Sequence, residues 1–289
     1  PATCALNGYA VEQVRSNEFG ALDPASVAEK MNENVAALML TNPNTLGLFE
    51  TNIREAVDIV HSKGGFVFGD GANLNALMGK ARPGDFGIDA MQFNLHKTFS
   101  TPHGGGGPGS GPVGVCKELE PYLPVPRPVK TGDTYALSYD LPKSIGRVRS
   151  FFGNFGIMVR AYAYIKEMGG NGLTKASEIA VLNANYLLSL LKDDFHVPYG
   201  QGRCMHECVL SDKYVQAENG ISTLDIAKAL IDRGFHPPTI YFPLVVKGAI
   251  MIEPTETETK ETIEEFVAAL KEIKMQAATD PDALHRAPE

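Results

Sequence analysis

A lysine stands at position 97 in the run Phe93-Asn94-Leu95-His96-Lys97-Thr98, between an apolar stretch that reads as a buried strand and a glycine-rich turn. Packing seldom calls for a lysine there. In a partly desolvated pocket an amine loses some of its preference for the charged form, and the neutral amine is the form that condenses with an aldehyde. A lysine at a strand end is more often simply solvated, so Lys97 needs a second residue to give it meaning. Asp70 supplies one, ending the run Phe66-Val67-Phe68-Gly69-Asp70 just before Gly71-Ala72-Asn73. The carboxyl ends of parallel strands face the crevice in which α/β sheets bind ligands. A pyridoxal ring needs an anion at its ring nitrogen, because the protonated pyridinium draws off the electrons released when a bond to a substrate α-carbon breaks. An aspartate before a glycine is also an ordinary turn residue. The pairing, and neither residue alone, points to pyridoxal phosphate with Lys97 as the Schiff-base lysine and Asp70 at the ring nitrogen.

Other combinations carry less. The run Gly104-Gly105-Gly106-Gly107-Pro108-Gly109 lacks both the P-loop spacing and the dinucleotide-binding fingerprint, so nucleotide binding is rejected; its glycines allow a backbone to pass close to a ligand or to adopt positive φ. Cys204, His206 and Cys208 alternate along an expected strand, but side chains two apart on one strand seldom converge on a metal and no fourth ligand is evident, so they are read as packing residues. Arg147 and Arg149 lie at an expected domain junction, where a guanidinium can grip a carboxylate; an interdomain or surface ion pair is the preferred reading for Arg147, and Arg149 stays open.

The elements that must position Lys97 and Asp70 read as alternating helix and strand. Asp23-Pro24 opens a helix to about residue 34, the apolar run from Val35 is a strand, and a helix over residues 52–62 stops at Lys63-Gly64-Gly65. Strands follow at Phe66 and Asp89, and Val113-Gly114-Val115-Cys116 returns to the sheet. Apolar strands linked by amphipathic helices predict a parallel sheet covered on both faces. The proline-rich, aperiodic stretch from Pro121 to Pro142 is expected to cross the surface and divide a large unit, 1–130, from a smaller α+β unit, 131–289. In the second unit helices are expected at 156–168, 173–191, 223–233 and 260–274, with strands at Met205 and near Ala249.

With 289 residues, 44% of them hydrophobic, the chain can bury a substantial core. Its 26 Lys and Arg against 34 Asp and Glu give a net charge of −8, which disfavours nucleic acid and anionic membrane surfaces as partners. No apolar run is long enough to span a bilayer, and the first residues resemble no secretory signal, which implies a soluble intracellular protein. Four cysteines are too few for a disulfide framework and are expected as free thiols. The start at Pro1, in a loop-like stretch without methionine, suggests processing or truncation.

The segments Asn94 to Val115 and Gly69 to Gly79, with TNPNTLGLFE before them, RSFFGNFG after them and MIEPTETETK near the end, resemble in sequence and order the P-protein, or decarboxylating glycine dehydrogenase, of the glycine cleavage system. The resemblance covers nearly the whole chain. It implies a type I pyridoxal-phosphate-dependent transferase-like large domain, here partial, with a smaller C-terminal domain. It also implies Lys97 linked to the cofactor, Asp70 at its ring nitrogen, Ala72 against a ring face and His96 beside the linkage. The implied activity is that of an oxidoreductase that decarboxylates glycine and passes the aminomethyl group to the lipoyl arm of H-protein, Lys97 serving as acid and base once released. The family carries an HGTNPAT-like stretch inside which this chain begins, so an upstream P-protein half or other subunit is expected as partner, in an oligomer, in a bacterial cytoplasm or a mitochondrial matrix. Another type I enzyme, such as an aminotransferase or a desulfurase-like lyase, or an inactive truncated fragment, remains the alternative.

Overall fold

A computed structural model describes residues 2–102 and 109–289. After a short helix, α1 (Ala2–Leu6), the Asp23-Pro24 signal forms as read: the Asp23 carboxylate accepts a hydrogen bond from the amide of Ala25, and α2 (Pro24–Lys30) starts with proline where no amide donor is needed. Strand β1 (Ala37–Thr41) follows, then α3 (Ile53–Ser62), whose Ile53, Ala56, Val57 and Val60 make one buried face. Gly64, at φ 78°, ends that helix and turns the chain into β2 (Phe66–Gly71). Strand β3 (Ala90–Phe93), the one-turn helix α4 (Leu95–Thr98) and β4 (Val113–Val115) complete the large unit.

The sheet order is β1-β2-β3-β4. The first three strands are parallel and β4 runs antiparallel to β3, so the sheet is mixed where a parallel one was expected. Coverage is also one-sided. Leu38 and Val67, opposite each other in register, pack beneath α2 and α3, whereas Met39 and Phe66 are 46% and 41% exposed. The period of two along each strand sends Asp70, like Phe66, to this more open face. The glycine run at 104–107 lies outside the described residues.

The stretch read as aperiodic between Pro121 and Pro142 contains a hairpin, β5 (Arg127–Thr131) and β6 (Thr134–Ser138), turning at Gly132. Nearly all its residues are exposed, so there was no buried face to impose an alternating pattern. The two helices expected beyond it form a single element, α5 (Phe155–Leu191), broken only at Gly169, whose φ of 60° and ψ of −179° are not helical. Near its start Ile157 and Ala161 pack on Leu95 of α4; near its end Leu187, Leu188 and Leu191 enter the main core of the second unit. That core is closed by β7 (Cys208–Ser211), α6 (Lys213–Asn219), α7 (Thr223–Asp232), β8 (Thr239–Ile240), β9 (Ala249–Ile252), α8 (Lys260–Thr279) and α9 (Pro281–Arg286), the strands ordered β7-β9-β8 and antiparallel. Ser222 caps α7 through a reciprocal capping box with Asp225. Among the described residues no helix is long and apolar enough to cross a membrane.

The strand expected at Met205 begins three residues later, at Cys208. Residues 204–205 are instead committed to cross-links: the Met205 amide donates to the Gly47 carbonyl at 2.7 Å, and Asn185 of α5 both donates to and accepts from the Cys204 backbone. Cys204, His206 and Cys208 therefore do not line one strand face.

Candidate active site

The parallel pairing of β2 and β3 sets Asp70 beside Gln92. Gln92 Nε2 donates to Asp70 Oδ1 at 2.5 Å and lies 2.9 Å from Asn94 Oδ1, and Asn94 Nδ2 is 3.2 Å from His96 Nε2. A chain of polar side chains thus runs from Asp70 along the end of the sheet to α4, the helix that carries Lys97. Asp70 Oδ1 also accepts from the Ala72 amide at 2.9 Å, which folds the 70–72 turn onto itself; Oδ2 has no hydrogen bond among the described residues. Gly71 between them admits no side chain, since a Cβ there would lie 1.9 Å from the Gln92 carbonyl oxygen. Gln92 and Asn94 were not singled out from the sequence, although their alternation with His96 along the strand exit was visible.

The structure thus brings Asp70, Ala72 and His96 together at the carboxyl ends of β2 and β3, with Lys97 one residue beyond His96. Lys97 is exposed, in contrast to the desolvated pocket expected; the one-turn helix α4 buries Leu95 and Thr98 and leaves the lysine on its outer side. Its charge nevertheless reaches three groups of the second unit: His206, Glu207 and Glu253. His206 is fully buried, and its Nε2 lies 3.8 Å from Glu207 Oε2 and 3.7 Å from Glu253 Oε1. Burial first, and the Lys97 cation second, push the His206 pKa down to about 4, so the ring is neutral. Burial, then the nearby Glu253 carboxylate, push Glu207 up to about 8. Glu253 moves upward as well, chiefly by burial of its carboxylate, although its side chain is 42% exposed. Burial also raises Cys204, to about 12, and Cys208, leaving both as inert thiols.

These groups are held by the segment that carries Asp70. Asn73 Nδ2 donates to the Pro43 carbonyl at 3.0 Å and lies 3.4 Å from Glu207 Oε1, and Asn75 Nδ2 donates to Glu253 Oε1 at 3.0 Å. Gly47, at φ 72°, presses against residue 207 so closely that a Cβ would stand 2.0 Å from the Glu207 carbonyl oxygen. The 42–47 loop, the 70–75 turn and the 205–207 strap are therefore one assembly. Sequence reading missed Glu207 and Glu253 because they are 46 residues apart and meet only through the β7-β9 pairing, Cys208 opposite Ile252. Among the described residues Arg147 has no ion pair of the kind expected: its guanidinium donates to the Tyr139 hydroxyl at 2.8 Å and stacks over that ring.

Residues 176–285 match the family described as glycine dehydrogenase, C-terminal domain. Over 288 residues the chain is 56% identical to the probable glycine dehydrogenase (decarboxylating) subunit 2 of Desulforamulus reducens and 57% identical to that of Staphylococcus haemolyticus, all of this chain being matched in each case. It spans only 59% and 58% of those relatives. Among solved structures, 94% of the chain superposes on 61% of a glycine decarboxylase (P-protein) of the glycine cleavage system, with a TM-score of 0.76 and 21% identity. A cysteine desulfurase from Thermococcus onnurineus matches at TM-score 0.69 and 18% identity, over 95% of this chain and 68% of that one. The fold is accordingly that of the type I pyridoxal-phosphate enzymes, with the large domain partial.

Proposed function

We propose that this chain, which spans 59% of the subunit 2 relative from Desulforamulus reducens, is a glycine dehydrogenase (decarboxylating) family member and carries the lysine-bearing part of a pyridoxal-phosphate site for glycine decarboxylation. The observation that carries the reading is the link from Asp70 through Gln92 and Asn94 to His96 and the Lys97 helix, in a chain 56% identical to such an enzyme throughout. The residues fit the cofactor. Asp70 offers an oxygen with no hydrogen bond among the described residues, on the open face of the sheet, Ala72 is small enough to lie against a flat ring, and Gly71 lets the backbone stay close. Bound there, the cofactor supplies an electron sink for the pair released when the substrate carboxyl group leaves.

The chain's own residues then have distinct tasks. Lys97 Nζ holds the cofactor covalently and, once released, is placed to move a proton at the substrate α-carbon. Asp70 holds the ring-nitrogen proton, and Gln92 fixes the carboxylate that does so. His96, oriented by Asn94, borders the lysine. The wider proposal is that the aminomethyl group passes to a lipoylated H-protein, with a partner subunit or upstream half completing the site in a soluble, cytoplasmic assembly.

Mixing the chain with pyridoxal phosphate, reducing with borohydride and mapping the modified peptide tests this directly. A fixed adduct on Lys97 is expected; an adduct spread over surface lysines, or none either in this chain or after the upstream region is restored, overturns the reading. Exchange of labelled bicarbonate into the glycine carboxyl group then separates a glycine decarboxylase from an aminotransferase or desulfurase of the same fold.

A further inference from the structure

His206, Glu207 and Glu253 converge on one another, and the chemistry proposed for Lys97 gives them no task. His206 is fully buried, and neither of its ring nitrogens has a hydrogen-bond partner. Its Nε2 faces two carboxylates, 3.8 Å from Glu207 Oε2 and 3.7 Å from Glu253 Oε1, too far for hydrogen bonds. Among the described residues neither carboxylate forms an ion pair with a lysine or arginine, and the Lys97 charge acts on both from outside ion-pair range. A buried imidazole without a partner and a buried carboxylate without a cation are both costly, and one divalent ion relieves both. We propose that His206 Nε2, Glu207 and Glu253 form a binding site for a divalent first-row transition-metal ion, which braces the turn carrying Asp70 against the second unit.

One ligand atom from each of the three residues lies within 4.8 Å of the other two. An ion with bonds of about 2.0–2.2 Å holds its ligands at most about 4.4 Å apart, so side-chain shifts of less than about 1 Å close the set. An imidazole nitrogen beside two carboxylates suits Zn²⁺ or Mn²⁺ and disfavours Ca²⁺ and Mg²⁺, which take oxygen ligands. Burial keeps Cys204 and Cys208 protonated, so of the alternating Cys204, His206 and Cys208 only the histidine belongs to the set. Glu253 reaches solvent and gives an ion its way in. The ligands come from the 205–207 strap and the end of β9, and amides of the other unit orient them: Asn75 Nδ2 donates to Glu253 Oε1 at 3.0 Å, and Asn73 Nδ2 lies 3.4 Å from Glu207 Oε1. An ion held there therefore ties the 70–75 turn to the second unit. In the ion-free chain a proton takes the place of the cation, and burial, then Glu253, push Glu207 up to about 8.

Titrating the chelator-treated chain with Co²⁺, read by its visible absorption, and displacing the Co²⁺ with Zn²⁺ tests the site. One ion per chain is expected, with no cobalt–thiolate charge-transfer band, and saturating Zn²⁺ should raise the urea midpoint. Glu253→Gln and His206→Gln should abolish that rise; Glu253 lies partly in solvent, so its variant serves even if the histidine variant fails to fold. Asn75→Ala touches no ligand atom directly bonded to the ion and should weaken binding about 10- to 100-fold, the usual effect of losing a group that orients a metal ligand. A chain that holds no ion overturns the proposal. So does a thiolate band, which places the ion on the cysteines, and so does binding that is unchanged in Glu253→Gln and Asn75→Ala, which places it elsewhere on the surface. No readout involves pyridoxal phosphate, so these failures leave the Lys97 reading untouched.

Discussion

Replacing Glu207 by glutamine should change how the stability of this protein depends on pH, in a pattern the structure dictates. Glu207 is 3% exposed and His206 fully buried, so their proton affinities act directly on folding. Glu207 rises from 4.5 to about 8 on folding. Over that interval the folded state holds a proton that the unfolded chain has lost, so stability falls as pH rises. His206 drops from 6.5 to about 4, so between those values the unfolded chain holds the extra proton and stability rises with pH. At roughly 1.36 kcal/mol per pH unit for each proton, the two slopes cancel between pH 4.5 and 6.5. Above 6.5 only the Glu207 slope remains, and the cluster loses about 2 kcal/mol by pH 8. Glu207→Gln keeps the shape and removes that proton, so its cluster should gain about 3 kcal/mol from pH 4.5 to 6.5 and stay level above. Urea unfolding of both proteins at half-unit pH steps measures the difference, in which titrating groups remote from the cluster cancel. Parallel curves between pH 6.5 and 8 would refute the reasoning, for they would mean that Glu207 titrates in the folded protein as it does in the unfolded chain.

Three further outcomes follow from single contacts. Gly71→Ala places a methyl group 1.9 Å from the Gln92 carbonyl oxygen and should cost on the order of 1–3 kcal/mol in urea unfolding, whereas Gly84→Ala, with nothing within 4 Å, should be nearly neutral. Gln92→Ala removes the donor that fixes Asp70 and breaks the link to Asn94; equilibrium titration followed by absorbance should show weaker retention of pyridoxal phosphate with unfolding stability lowered by about 1 kcal/mol or less. Ser222→Ala deletes the capping box of α7 and should lower the urea midpoint by an amount equivalent to about 1 kcal/mol, leaving cofactor retention as it was.

Local chemistry was legible from the residues themselves. Asp23-Pro24 and Lys63-Gly64 bounded their helices because capping and positive φ are decided within a few residues, and the apolar runs at 37–41 and 66–71 became neighbouring parallel strands. Asp70 at the end of β2 and Lys97 on α4 just past β3 were each legible from the punctuation that ends their strands, and adjacent parallel strands end on the same edge. The exposed β5-β6 hairpin left no pattern to read, since a ribbon without a buried face imposes none. What only the tertiary structure decided is the trio of His206, Glu207 and Glu253. The strap at 204–205 is pulled out of strand geometry by Gly47 and Asn185, and the pairing of β7 with β9 carries Glu253 back to Glu207. Those contacts join residues distant in the chain, and the burial that makes His206 neutral and Glu207 a strong proton holder exists only once both units have packed around them.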